Sequence, residues 1–186
     1  MNRRMMVFAM AFALFAPVIA LGADKSKEQA EVRKAGQDAL AAVYKAAPSA
    51  RKAVESAAGY AAFSNFGMKI LVAGGGSGKG IAVNNKTKAT SYMKMAEVQA
   101  GLGFGVKKFQ LVWVFETEAA LNNFVNSGWE FGAQATAAAK SADKGAAYQG
   151  AVAIAPRVWL FQVTDKGLAL ELTAKGTKYY KDGDLN

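Results

Sequence analysis

Phe109-Gln110-Leu111-Val112-Trp113-Val114-Phe115 closes on a stretch, Val112 to Phe115, in which hydrophobicity does not alternate and no polar residue intervenes. Successive side chains of a strand point to opposite faces, so this strand is expected to be buried on both, against helix on one side and sheet core on the other. Just beyond it, Thr117 is placed to cap a short helix from about Glu118 to Val125, with Leu121 and Phe124 facing inward and Gly128 after its end. The rest of the chain from Gly59 onward is short runs of aromatic, β-branched and glycine residues separated by turn signals such as Asn84-Asn85-Lys86-Thr87, Asp143-Lys144-Gly145 and Asp165-Lys166-Gly167. These runs read as antiparallel strands: Tyr60 to Asn65, Lys69 to Gly74, Gly78 to Val83, Ala89 to Met95, Leu102 to Val106, Phe109 to Phe115, Trp129 to Ala137, Ala147 to Ile154, Val158 to Thr164 and Leu168 to Thr173.

Upstream the period changes. Val32, Gly36, Leu40, Val43 and Ala47 recur every three or four positions between charged residues, which predicts an amphipathic helix from Ser26 to Ala47. Pro48 interrupts it, and Ser49 is placed to cap a second short helix through about Ser56. Helices first and many strands afterwards make an α+β chain: a curved, mostly antiparallel β-sheet or partly closed barrel, with the N-terminal helices and one inserted helix packed on it. Arg3 and Arg4 before the apolar run Met5 to Leu21, broken by Pro17, read as a secretory signal peptide over residues 1–23. Residues 24–186 are then a single domain, expected to be soluble and periplasmic.

Composition narrows the chemistry. The 186 residues are 52% hydrophobic and 20% charged, near the globular average, and contain no cysteine and no histidine. Disulfides, thiolate metal sites, cysteine nucleophiles and the commonest general base are therefore excluded. Ser49-Ala50-Arg51-Lys52 and Ser141-Ala142-Asp143-Lys144 match a serine-to-lysine spacing used in acyl transfer, but the companion elements are missing. Asp182-Gly183-Asp184 lacks the longer calcium pattern and reads as a polar C-terminal stretch. No catalytic residue, cofactor or metal is expected.

Two stretches place glycine at every second position, Gly74, Gly76, Gly78 and Gly80, then Gly101, Gly103 and Gly105. Each leaves one strand face bare, which serves sharp bending, close helix packing, or approach of a ligand to the backbone. The first stretch imitates a phosphate cradle, but Ala73 and Gly80 stand where a P-loop needs glycine and Ser or Thr, and no helix follows. The formal net charge is +9, and most of the surplus lies here: Lys69, Lys79, Lys86, Lys88, Lys94, Lys107 and Lys108 stand against Glu97 alone. Lysines beside bare glycine faces suit an anionic surface, phospholipid or lipopolysaccharide headgroups, while the same lysines on hairpins also keep sheet edges soluble. Nucleic acid is disfavoured by the exported location.

Gly59-Tyr60-Ala61-Ala62-Phe63, the glycine ladder ending Gly78-Lys79-Gly80, Gly101-Leu102-Gly103-Phe104-Gly105, and Gly176-Thr177-Lys178-Tyr179-Tyr180 with Asp184-Leu185-Asn186 together resemble the exported bacterial branch of the SYLF domain family. The resemblance runs over nearly the whole of residues 24–186 and implies a lipid-binding module without known catalysis, whose eukaryotic relatives bind phosphoinositides and associate with actin. It also points to Arg33, Lys34, Arg51 and Lys52 as membrane contacts, although the alanine-rich face of the first helix is poor in residues that sink into an interface. The expected function is non-catalytic binding of anionic lipid in the cell envelope. Its alternative is an interaction or assembly module using strand edges or the helical face, with an envelope protein as partner.

Overall fold

In the computed structural model, residues 18–70, 73–100, 105–131, 148–164, 167–168 and 177–186 are described. The chain opens with α1 (Val18–Ala46) and α2 (Ser49–Ser56) and continues as β1 (Gly59–Ile70), β2 (Ala73–Asn84), β3 (Thr90–Ala100) and β4 (Gly105–Phe115). After α3 (Glu118–Ser127) come β5 (Trp129–Phe131), β6 (Val152–Ala155), β7 (Val158–Thr164), β8 (Gly167–Leu168) and β9 (Thr177–Lys181). All nine strands join one antiparallel sheet, ordered β5-β9-β3-β2-β1-β4-β7-β6 with β8 on β7, curled into a half-barrel.

Helices cover both faces. Val112, Trp113, Val114 and Phe115 of β4 are completely buried, as their unbroken apolarity requires. Val112 and Val114 turn toward α1 and α2 and pack with Ala39, Val43, Ala53 and Phe161. Trp113 and Phe115 turn the other way, toward Leu121 and Phe124 of α3. The Trp113 ring lies 5.3 Å from Phe124, 5.1 Å from Tyr179 and 5.8 Å from Trp129. Burial pushes the Tyr179 phenol well above its ordinary range, with the Trp113 indole N–H acting against that shift. The α3 termini follow the local signals: Thr117 Oγ1 accepts from Ala120 N at 3.2 Å, and Gly128 after the helix has φ 74°.

Several boundaries differ from the sequence reading. Ser49 is the first residue of α2 and not its cap; its hydroxyl donates to Gln149 O at 2.6 Å. The strand expected over Lys69 to Gly74 is divided, with Lys69 and Ile70 ending β1 and Ala73 and Gly74 beginning β2. β4 is continuous from Gly105, absorbing the end of the run expected over Leu102 to Val106. β9 was not anticipated, because Thr177-Lys178-Tyr179-Tyr180-Lys181 is short and holds only two aromatic residues among polar ones; it lies between β3 and β5. Gly101, Gly103, the turn Asp143-Lys144-Gly145 and most of the region expected over Trp129 to Ala137 lie outside the described residues, as does residue 1–17 of the expected signal peptide; its remainder lies within α1.

The glycine ladder Gly74 to Gly80 lies inside β2, its backbone engaged in register with β1 and β3. At Gly80 the space of a side chain is filled: an added Cβ would come 2.5 Å from the Phe63 ring and would also collide with Ala62 O. In α1, a Cβ at Gly36 would fall 2.8 Å from Ile81, so this glycine sets how closely the helix approaches the sheet. Gly80→Ala is therefore expected to destabilise the fold by about 1–3 kcal/mol, read from the urea midpoint, because the backbone oxygen cannot yield as a flexible side chain could.

Candidate functional site

Strand alternation sets the glycines apart from Lys79 and Lys94, which the sequence analysis had placed with them. Gly76, Gly78 and Gly80 lie at positions facing the α3 side of β2, whereas Lys79 projects to the α1 side. By register, positions 69 and 107 fall on the face of the glycine stripe, opposite Gly74 and Gly67, whereas Lys79 and Lys94 fall on the other face. The five of these lysines whose side chains are described are split between two places about 20 Å apart along β2, at roughly 3.3 Å per residue.

The first place is a groove of about 860 Å³ between the first turns of α1 and the sheet. Its sheet wall carries Lys79, Lys94 and Lys108 with Ser64, Ser77 and Tyr180, and its helix wall carries Asp24, Glu28 and Glu31. Lys79 is ion-paired to Glu28. Lys94 donates to Asp182 Oδ1 and Asp184 Oδ2, both at 2.9 Å. These two carboxylates hold the Lys94 ammonium well above its ordinary pKa, and Lys94 in turn lowers that of Asp184. The polar stretch Asp182-Gly183-Asp184 thus receives its cation from within the chain.

The C-terminal turn also stitches α1 to β3. The Asn186 side chain pairs with the Tyr92 backbone as a neighbouring strand would, Oδ1 accepting from Tyr92 N at 3.0 Å and Nδ2 donating to Tyr92 O at 2.8 Å. Gln29 Nε2 donates to Leu185 O at 2.8 Å, and Arg33 Nε donates to Tyr92 Oη at 2.5 Å. Leu185 fills a small apolar cluster with Val32, Ile81 and Tyr92. Sequence analysis missed Glu28, Asp182 and Asp184 as lysine partners. Long-range pairing leaves no local signal, although the parity of Lys79 against its glycine neighbours could have separated the two faces.

The second place is the β2–β3 turn together with α2. Asn84 Oδ1 accepts from Lys86 N and Thr87 N, each at 2.9 Å, and Lys88 N donates to Asn84 O at 2.8 Å with Lys88 at φ 61°. Asn85 Nδ2 donates to Val54 O at 2.6 Å and Ala57 O at 2.9 Å, fastening this turn to the end of α2. Lys86, Lys88, Arg51 and Lys52 are exposed on these two joined elements. Arg51 lies 4.6 Å over the Tyr44 ring and 3.9 Å from Glu55; among the described residues, Lys52, Lys86 and Lys88 make no ion pair. The side chains of Lys69 and Lys107 lie outside what is described, and Gly105 opens β4 opposite Lys69.

Within this half-barrel, residues 96–186 match the SYLF family model described as Ysc84, Las17-binding protein actin regulator. The chain is also 36% identical over 149 residues to the protein named Beta cell expansion factor A of Aeromonas veronii, an alignment covering 79% of this chain and 54% of that protein. The chain thus spans about half the length of the curated relative it matches. The family match begins in β3 and includes the C-terminal turn, while α1, α2 and Lys86 and Lys88 precede it.

Proposed function

We propose that this is a non-catalytic, exported protein of the cell envelope that binds anionic lipid surfaces, and that the contact is made by Arg51, Lys52, Lys86 and Lys88. The observation that carries the reading is the joined turn and α2. Four cations stand on two elements fastened by the Asn85 hydrogen bonds, and Glu55 is the only carboxylate paired with any of them among the described residues. Two features favour a surface over a small ligand. The side chains stand exposed on their elements, and each lysine near an anionic membrane contributes about 1 kcal/mol without needing an enclosed site. Export rests on Arg3, Arg4 and the apolar run that follows them. Among the described residues, no helix is long and apolar enough to cross a membrane, which fits peripheral attachment.

Co-sedimentation of the purified protein with vesicles of phosphatidylglycerol and phosphatidylcholine in equal parts tests this. Binding is expected there and not to pure phosphatidylcholine, and it is expected to be lost at about 0.5 M salt, where the screening length is only about 4 Å. Equal partitioning onto both vesicles, or binding insensitive to salt, overturns the proposal.

A further inference from the structure

In the groove beneath α1, two of the three lysines on the sheet wall, Lys79 and Lys94, are already ion-paired. Lys79 and Lys94 are directly opposed in the β2–β3 register, an arrangement of like charges that disfavours strand pairing unless an anion lies nearby. The strands lining the groove contribute no carboxylate to relieve it; those lining it come from α1. Relief is supplied by Glu28 on Lys79 and by the C-terminal turn on Lys94. Asp182, 1% exposed, is a structural partner that also accepts from Asp184 N, whereas Asp184 is 86% exposed and Glu28 is 41% exposed. Lys108, on the same wall, is exposed and makes no ion pair among the described residues.

The helix segment that delivers Glu28 is weakly held. From Asp24 to Glu31 no residue of α1 is buried, and Val32 is the next along the helix that is. Among the described residues, these turns are fastened by the polar contacts of Glu28 to Lys79, Lys25 to Asn186 O at 3.1 Å and Gln29 to Leu185 O. Exposed polar contacts of this kind are individually weak and open to competition.

We propose that the groove is a second binding site, for a phosphate-bearing anion, closed from inside: the carboxylates of Glu28 and Asp184 stand where ligand oxygens would sit on Lys79, Lys94 and Lys108, and binding displaces them and frees the turns Asp24–Glu31. Ser64, which lies beside Lys79 in the β1–β2 register, and Tyr180, beside Lys94, can donate hydroxyl hydrogen bonds to the same anion. Phosphate fits better than a single carboxylate because three ammonium groups and two hydroxyls need more acceptor oxygens than one carboxylate offers. The proposal is independent of lipid contact at the turn.

Titration calorimetry with inorganic pyrophosphate at low ionic strength is the test. The paired substitution Glu28→Gln with Asp184→Asn is expected to tighten binding about tenfold, as removal of two competing surface ion pairs should. Glu118→Gln, a carboxylate on α3 outside the groove, is expected to change it little. Adding Lys79→Gln and Lys108→Gln to the paired variant should remove the gain, and hydrogen exchange at residues 24–31 should quicken when pyrophosphate binds. The proposal falls if the paired variant gains no more than Glu118→Gln, if the gain survives loss of the two lysines, or if exchange at residues 24–31 does not change. Thermal melting of each variant confirms that it folds. The phosphatidylglycerol vesicles then identify the source. Extra sedimentation of the paired variant in a Lys52→Gln, Lys86→Gln, Lys88→Gln background indicates a lipid headgroup; tightened pyrophosphate binding without it indicates a free phosphate compound, and both outcomes keep the site. Tightened pyrophosphate binding in a protein that ignores anionic vesicles would sink the lipid reading and leave the groove standing.

Discussion

Trp113→Ala is expected to remove about 4 kcal/mol of stability, the upper part of the range for deleting a buried aromatic, and to lower the melting temperature by roughly 8–16 °C. The indole is fully buried at the centre of a ring cluster that joins four separate elements: Phe115 on its own strand, Phe124 on α3, Trp129 on β5 and Tyr179 on β9. Truncation leaves a cavity whose lining comes from elements far apart in sequence, so collapse around it is limited. Trp113→Phe keeps most of the contact area and should cost less than half as much. Calorimetry and urea unfolding measure both. A loss below about 1 kcal/mol for the alanine variant would mean that the α3 face is not the principal core.

The second large effect concerns the turn surface. Replacing Lys52, Lys86 and Lys88 together with glutamine should weaken partition onto phosphatidylglycerol vesicles about a hundredfold, from about 1 kcal/mol for each lysine near an anionic surface. The three side chains stand on a turn ordered by Asn84 and fastened to α2 by Asn85, so little ordering remains to be done on binding. Arg157→Gln, Lys178→Gln and Lys181→Gln, three exposed cations elsewhere, make the same change in net charge. They should lower partition far less. Equal losses from the two triple variants would mean that diffuse charge, and not this surface, drives the attraction.

How far each feature could be read ahead of the structure depended on the range of the interaction that fixes it. The β4 run Val112 to Phe115 announced its double burial because the cause is the residues' own composition. Thr117 and Gly128 announced the ends of α3 because caps act within one helical turn. The apolar stripe Val32 to Ala47 announced the side of α1 that meets the sheet, and Val43 and Ala47 are buried there. By contrast, β9 carries too few apolar residues to stand out, and its place between β3 and β5 is conferred by those strands.

The candidate sites divide in the same way. Lysine abundance between residues 69 and 108 was plain, but abundance is not a surface. Alternation sent Lys79 away from Gly78 and Gly80, and distance along β2 separated Lys79 from Lys86. The glycine at 80 serves the ring of Phe63, a partner seventeen positions earlier that only the β1–β2 register reveals.

By itself, then, the sequence determined the α+β class, the family likeness, the amphipathic first helix and the capped helix after β4, all consequences of neighbours along the chain. Only the tertiary structure decided which lysines remain free. Lys79 meets Glu28 and Lys94 meets Asp182 and Asp184 through separations of 51 and about 90 residues, and a charge is neutralised by whatever lies within a few ångströms of it in space, whatever its position in the chain.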